Sequence, residues 1–173
     1  LLKKQEDPCS KNGIVGAFCR TYNVEEAMEK FLPGVYIPCA MEGRYTYAAG
    51  STAAGAVVYE DGKFLYSNHA TDPAGGILCN AFDLVRLHKF RDLDEEAAEG
   101  TPTVKLPSYL KMQDMAVHDE NVRMTMHKER ADDVKKDFEG VSNEEEADDS
   151  WVLGMDLDGK GNYRATIHNA KMI

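Results

Sequence analysis

The chain has 173 residues, with 30 acidic against 20 basic side chains and a net charge of −10. This length suits one compact domain of roughly 100–130 residues with an appendage. Four cysteines without a close-spaced pair exclude a disulfide scaffold, and neither a signal peptide nor an apolar run of spanning length is present, so the expected compartment is reducing and cytoplasmic.

Lys11 to Cys19 reads as a short helix with Ile14, Val15 and Phe18 on one face. A second helix starts at Asn23, with Glu26 three residues on in capping-box spacing. It buries Val24, Ala27, Met28 and Phe31 and stops at Pro33-Gly34. An extended stretch, Val35 to Pro38, leads to three strands at 44–48, 56–60 and 63–67. The last two form a hairpin over Glu60-Asp61-Gly62-Lys63, because Asp-Gly supplies two turn positions with positive φ. A polar turn from Asn68 to Pro73 and two glycines precede a helix capped by Asn80, with Ala81, Leu84, Val85 and His88 at i, i+3, i+4 and i+7 and Phe82 and Phe90 on its flanks. Residues 8–92 thus form a compact α+β core of two short helices, a small antiparallel sheet and a packing helix.

Residues 93–150 read as a helical and acidic arm. Asp92 to Lys105 is a loop, Pro107 opens a helix, and Asn121 to Phe138 is a highly charged one. Met112, Met115, Met124 and Met126 make an apolar stripe suited to packing. Glu144 to Asp149 is a like-charge linker. Beyond it, Trp151–Met155 and Tyr163–Ile167 flank Asp156–Asn162 as a second hairpin, the start of a following domain over 151–173. Asp156-x-Asp158-Gly159 has a faint calcium-loop look, but without the closing Glu a turn is expected. The start without methionine and the end inside an apolar pattern suggest a piece of a longer chain.

Ser67-Asn68-His69-Ala70-Thr71-Asp72-Pro73, followed by Cys79-Asn80-Ala81-Phe82-Asp83-Leu84-Val85-Arg86, resembles the connector of phage and mobile-element primase–helicases of the virulence-associated E family, where a primase domain precedes a P-loop helicase-like domain. The resemblance extends to Gly13–Cys19, Phe31–Tyr36 and Trp151–Ile173, and so touches most of the chain. It implies a DNA-replication protein of a bacterial host carrying a prophage or mobile element, with neighbouring primase and helicase domains of the same polypeptide as partners. Active-site motifs of polymerase or ATPase do not come with it. A second similarity, of shape, is to bacterial primase zinc ribbons, which place an aromatic hairpin before a Cys-rich turn.

Zinc sites want four Cys or His ligands arriving in close pairs. Cys9, Cys19, Cys39 and Cys79 have no such spacing, so a metal-free ribbon-like fold without a cofactor is expected. The alternative set is Cys39, His69, Asp72 and Cys79. No P-loop is present, because Gly50 to Gly55 lacks the lysine and precedes a strand, and is expected to be a loop between strands. Asp72 and Asp83 could pair as metal ligands for nucleotidyl transfer, but Asp83 sits at N3, where an acid complements the helix dipole. Ser67, His69 and Asp72 are too close in sequence to be assumed a triad. The chain by itself is therefore expected not to be an enzyme.

The net acidity opposes indiscriminate adhesion to DNA, whose affinity comes largely from Lys and Arg neutralising phosphates. Most of the acid excess lies beyond Asp92, while Arg44, Lys63, His69, Arg86 and Lys89 belong to the central unit. These five are the candidate single-stranded DNA contacts, with Arg86 and Lys89 off the apolar face of their helix and Tyr45, Tyr47 or Tyr66 available to stack bases. The expected role is a noncatalytic connector that positions primase and helicase and guides single-stranded DNA. The alternatives are a purely structural interaction or oligomerisation domain, and a residual nucleotidyl-transfer accessory.

Overall fold

The computed structural model describes residues 5–137 and 149–172. After a 3-10 turn at Pro8–Ser10 come α1 (Gly13–Thr21) and α2 (Val24–Phe31). Five strands follow: β1 (Tyr36–Pro38), β2 (Arg44–Tyr47), β3 (Ala56–Tyr59), β4 (Phe64–Ser67) and β5 (Leu78–Cys79). Then come α3 (Ala81–Phe90), α4 (Pro107–His118), α5 (Glu120–Asp137) and α6 (Ile167–Ala170). The fold is α+β, with six α-helices and one five-stranded antiparallel sheet among the described residues.

Local chemistry accounts for most boundaries. Asn23 accepts from the Glu26 N–H while Glu26 accepts from the Asn23 N–H, the full capping box. Asp61 and Gly62 take φ of 53° and 86° in the β3–β4 turn, as a tight hairpin demands. Asn80 caps α3 by accepting from the Asp83 N–H.

The sheet is a meander in the order β1-β2-β3-β4-β5. Its register puts Tyr36, Tyr47, Ala56, Leu65, Ser67 and Cys79 on the face toward the helices. Arg44, Val57, Tyr66 and Leu78 form a row across the other face. Two strands were not expected: β1, from the stretch read only as extended, and the two-residue β5. Both are too short to show an alternating pattern.

Phe18 is fully buried, against Tyr22, Phe31 and Phe82 with ring centroids 5.3–5.9 Å apart. Met112, Ala116, Val117, Val122 and Met126 belong to the same buried cluster. Helices α4 and α5 therefore complete the core, and no separate arm begins at residue 93. Two of the four stripe methionines, Met112 and Met126, are core residues.

The second hairpin is also corrected. Asp149–Gly154 is a 3-10 helix, and the only pairing left is a single bridge, Leu157 to Tyr163. Val152 and Met155, three apart, are both buried, and Arg123 donates to both of their carbonyls. That spacing suits a 3-10 turn and not a strand. Of the expected acidic linker, residues 144–148 lie outside the described residues, as does Phe138.

Candidate functional site

The turn after β4 folds inward. Asp72 has a fully buried side chain whose Oδ2 accepts from the Tyr36 hydroxyl at 2.7 Å and whose Oδ1 accepts from the Ala74 N–H at 2.8 Å. His88 Nε2 lies 3.1 Å from Oδ1 and 2.8 Å from the Tyr36 oxygen. Since the only hydroxyl hydrogen of Tyr36 goes to Asp72, His88 Nε2 must carry its own and share it between the two oxygens. Burial pushes the Asp72 carboxyl up, yet hydrogen bonds from His88, Ser67, Tyr36 and Ala74 outweigh it and hold the pKa at about 2. The Tyr36 hydroxyl moves far upward, through burial and then through donating to that carboxylate.

Beside this cluster, His69 is only 3 % exposed. Tyr47 N–H donates to its Nε2 at 3.3 Å, so Nδ1 carries the hydrogen and donates to Thr52 Oγ1 at 2.9 Å. The β2–β3 loop closes around the ring. A Cβ on Gly50 would sit 2.9 Å from Nδ1, and one on Gly55 2.8 Å from Nε2. The glycine-flanked stretch is a loop between strands, as expected, and its glycines are there to admit an imidazole. The Tyr47 ring lies 6.0 Å from both His69 and His88, joining the two groups.

On another side of α3, Arg86 is buried at 7 % exposure. Its Nε donates to Asp83 Oδ1 at 3.1 Å and its guanidinium to Ser108 Oγ at 2.9 Å. Asp94 accepts from both the N–H and the hydroxyl of Ser108. The expectation that Arg86 lies off the buried face is corrected. Once α4 covers α3, the helix is buried on both sides, with Phe82 and Leu87 interior as well as Leu84 and Val85.

The five expected DNA contacts are therefore not brought together. His69 and Arg86 are interior and hydrogen-bonded to their neighbours. Lys63 lies in the β3–β4 turn, paired with Asp7 at 2.7 Å. Arg44 is on the outer sheet face, one guanidinium N–H donating to the Ala54 carbonyl. Lys89 is exposed on α3. Among the tyrosines, Tyr47 belongs to the buried cluster and Tyr45 donates to Glu25 at 2.6 Å. Of the three tyrosines expected to stack bases, Tyr66 is the one that keeps a place on the outer face, beside Val57.

The alternative metal set does not assemble: among the described residues no group of three or more His, Cys, Asp or Glu converges on one point. Cys39 contacts Thr46, His69 and Asp72 face different partners, and burial pushes the Cys79 thiol up to about 12. Without those ligands the zinc-ribbon likeness gains no support. Asp158 accepts from the Lys160 and Asn162 N–H groups, an Asx-type turn where the calcium-loop comparison arose. Among the described residues, no helix is long and apolar enough to cross a membrane.

Sequence reasoning missed Tyr36, Thr52, Asp94 and Ser108 as partners. One signal was visible: His88 falls on the buried stripe of α3, where a polar ring needs a buried partner. No protein-family model, curated protein or solved structure matches the chain significantly.

Proposed function

We propose that this chain is a noncatalytic connector module of a phage-type primase–helicase, a rigid spacer that positions the two activities and offers single-stranded DNA a track on the outer face of its sheet. The observation that carries the reading is the use made of the residues in the primase–helicase resemblance. Ser67, His69, Asp72, Asn80, Asp83 and Arg86 serve as fasteners between the sheet, α3 and α4. Groups engaged with one another in this way hold geometry, and reagents need a free atom and access.

The DNA part of the proposal rests on the outer row. Arg44 and Tyr66 flank Val57 there, two inter-strand spacings or about 10 Å apart. A base stacked on Tyr66 would bring its backbone toward Arg44, and Lys63 in the adjoining turn adds a second cation.

Fluorescence anisotropy with a labelled single-stranded oligonucleotide at two salt concentrations tests this. Arg44→Ala with Lys63→Ala should weaken all sequences alike and reduce the salt slope by about 0.7 per lost phosphate contact. Absence of binding at low salt, or parental affinity in the double variant, would remove the DNA track. The alternative interaction-domain reading would then be favoured by the exposed Ile37 and Tyr59 on the same sheet.

A further inference from the structure

The β2–β3 ladder stops at the Tyr45–Ala56 pair. Beyond it the Tyr47 N–H has no partner in β3, and the His69 ring takes that place by accepting at Nε2. His69 Nδ1 then donates to Thr52 Oγ1, in the loop that crosses from β2 to β3. Two further anchors fix the same loop. The Ala54 N–H donates to Thr46 Oγ1 at 2.9 Å, and the Gly55 carbonyl accepts from both the backbone and the side-chain N–H of Asn68. Ala54 sits at φ 57°, a left-handed conformation that a β-carbon disfavours, so contacts from outside the loop hold it on its path.

On the outer face of the sheet this loop ends in a contact with Arg44. The Ala54 carbonyl accepts from the Arg44 guanidinium at 3.3 Å, the one side-chain hydrogen bond of Arg44 among the described residues. No carboxylate pairs with Arg44 among those residues, in a chain of net charge −10. Lys63, by contrast, is already paired with Asp7. The Arg44 guanidinium is therefore held in place by a neutral oxygen and keeps N–H groups for an anion, whose hydrogen bonds to it are stronger than those of a carbonyl.

We propose, resting on the DNA track above, that His69 is a positioning residue for Arg44. By gripping Thr52 it fixes the β2–β3 loop, whose Ala54 carbonyl keeps the guanidinium turned to a phosphate of single-stranded DNA. The cation is thus preorganised from the interior of the sheet, and part of the affinity resides in a side chain that DNA never touches.

The test titrates the full chain and its variants with fluorescein-labelled oligothymidylate, each variant first shown by thermal melt to be folded. Thr52→Val keeps the shape of the side chain and removes its hydroxyl. It should weaken binding about threefold, and Thr52→Ser should keep parental affinity. His69→Leu should weaken binding at least as much, and adding Thr52→Val to it should cost nothing more, because the same bond is already lost. In an Arg44→Ala background Thr52→Val should have no further effect, whereas in a Lys63→Ala background it should keep its full cost. Without DNA, the Arg44 side-chain Nε–H resonance should report greater mobility in Thr52→Val than in the parent. A parent chain that binds no oligothymidylate at low salt would overturn the DNA track and this positioning role together. A parent that binds, with Thr52→Val at parental affinity, with the same loss in the Arg44→Ala background, with Thr52→Ser as weak as Thr52→Val, or with Arg44 mobility unchanged, would overturn the positioning role and leave the track standing.

Discussion

Two polar clusters grip α3 from different sides, and they are built on different principles. Toward α4, the Arg86 guanidinium meets Asp83, Ser108 and Asp94, whose carboxylate side chains keep 30 % and 17 % of their exposure. Toward the sheet, the Asp72 side chain has no exposure and is surrounded by Tyr36, His88, Ser67 and Ala74. The first cluster borders water and can rehydrate when a partner is lost. The second cannot, so each of its members depends on the others. Burial of the partners, more than formal charge, sets what each cluster contributes.

The largest effect is therefore expected at Asp72. Asp72→Ala strands the Tyr36 hydroxyl, the His88 N–H and the Ala74 N–H, and should destabilise the chain by about 3–5 kcal/mol, a fall of about 10 °C or more in Tm. A loss below about 1 kcal/mol in urea unfolding would show that water reaches the cluster. Arg86→Ala comes next, at about 2–3 kcal/mol, because Asp83 and Asp94 can be hydrated. Arg86 losing more than Asp72 would invert the comparison.

Acid titration sharpens it. The Asp72 pKa is held at about 2, below its ordinary 3.8. The resulting stabilisation, about 2 kcal/mol from a shift of nearly two units, is complete above pH 4 and lost as pH falls toward 2. Asp119, lowered by Lys30 and Tyr22 against the effect of burial, adds in the same direction. Asp72→Asn should flatten the stability–pH curve in that window, and an unchanged slope would assign acid sensitivity elsewhere.

The His69 clasp predicts a smaller, conditional cost. Gly55→Ala should destabilise by about 1–3 kcal/mol through overpacking on the ring. Most of that should vanish in a His69→Ala background, a double-mutant coupling measurable by thermal melts. Equal cost in both backgrounds would mean that the loop and not the imidazole is strained. Lys89→Ala, at an exposed site, should stay within about 0.5 kcal/mol.

Much of the local fold was legible because local chemistry decides it. The Asn23–Glu26 box, the Asp61-Gly62 turn and the Asn80 cap each involve residues a few positions apart. The second hairpin was misread because Trp151 to Met155 has strand-like composition, while Arg123, far away in the chain, satisfies carbonyls in a 3-10 turn. The candidate site was legible only in part. Ser67, His69, Asp72, Asp83 and Arg86 stood out as polar residues around a glycine-rich turn, but their roles depend on Tyr36, Thr52, Asp94 and Ser108.

By itself, then, the chain's order of residues determined its α+β class, its caps, its central hairpin and the apolar stripe of α3, since these follow from periodicity and neighbouring side chains. Only tertiary structure decided that α4 and α5 complete the core, that Arg86 and His69 are interior, and that Gly50 and Gly55 make room for a ring. Those outcomes depend on contacts between residues far apart in sequence. A polar side chain in one segment carries no mark of whether a distant helix or loop will cover it.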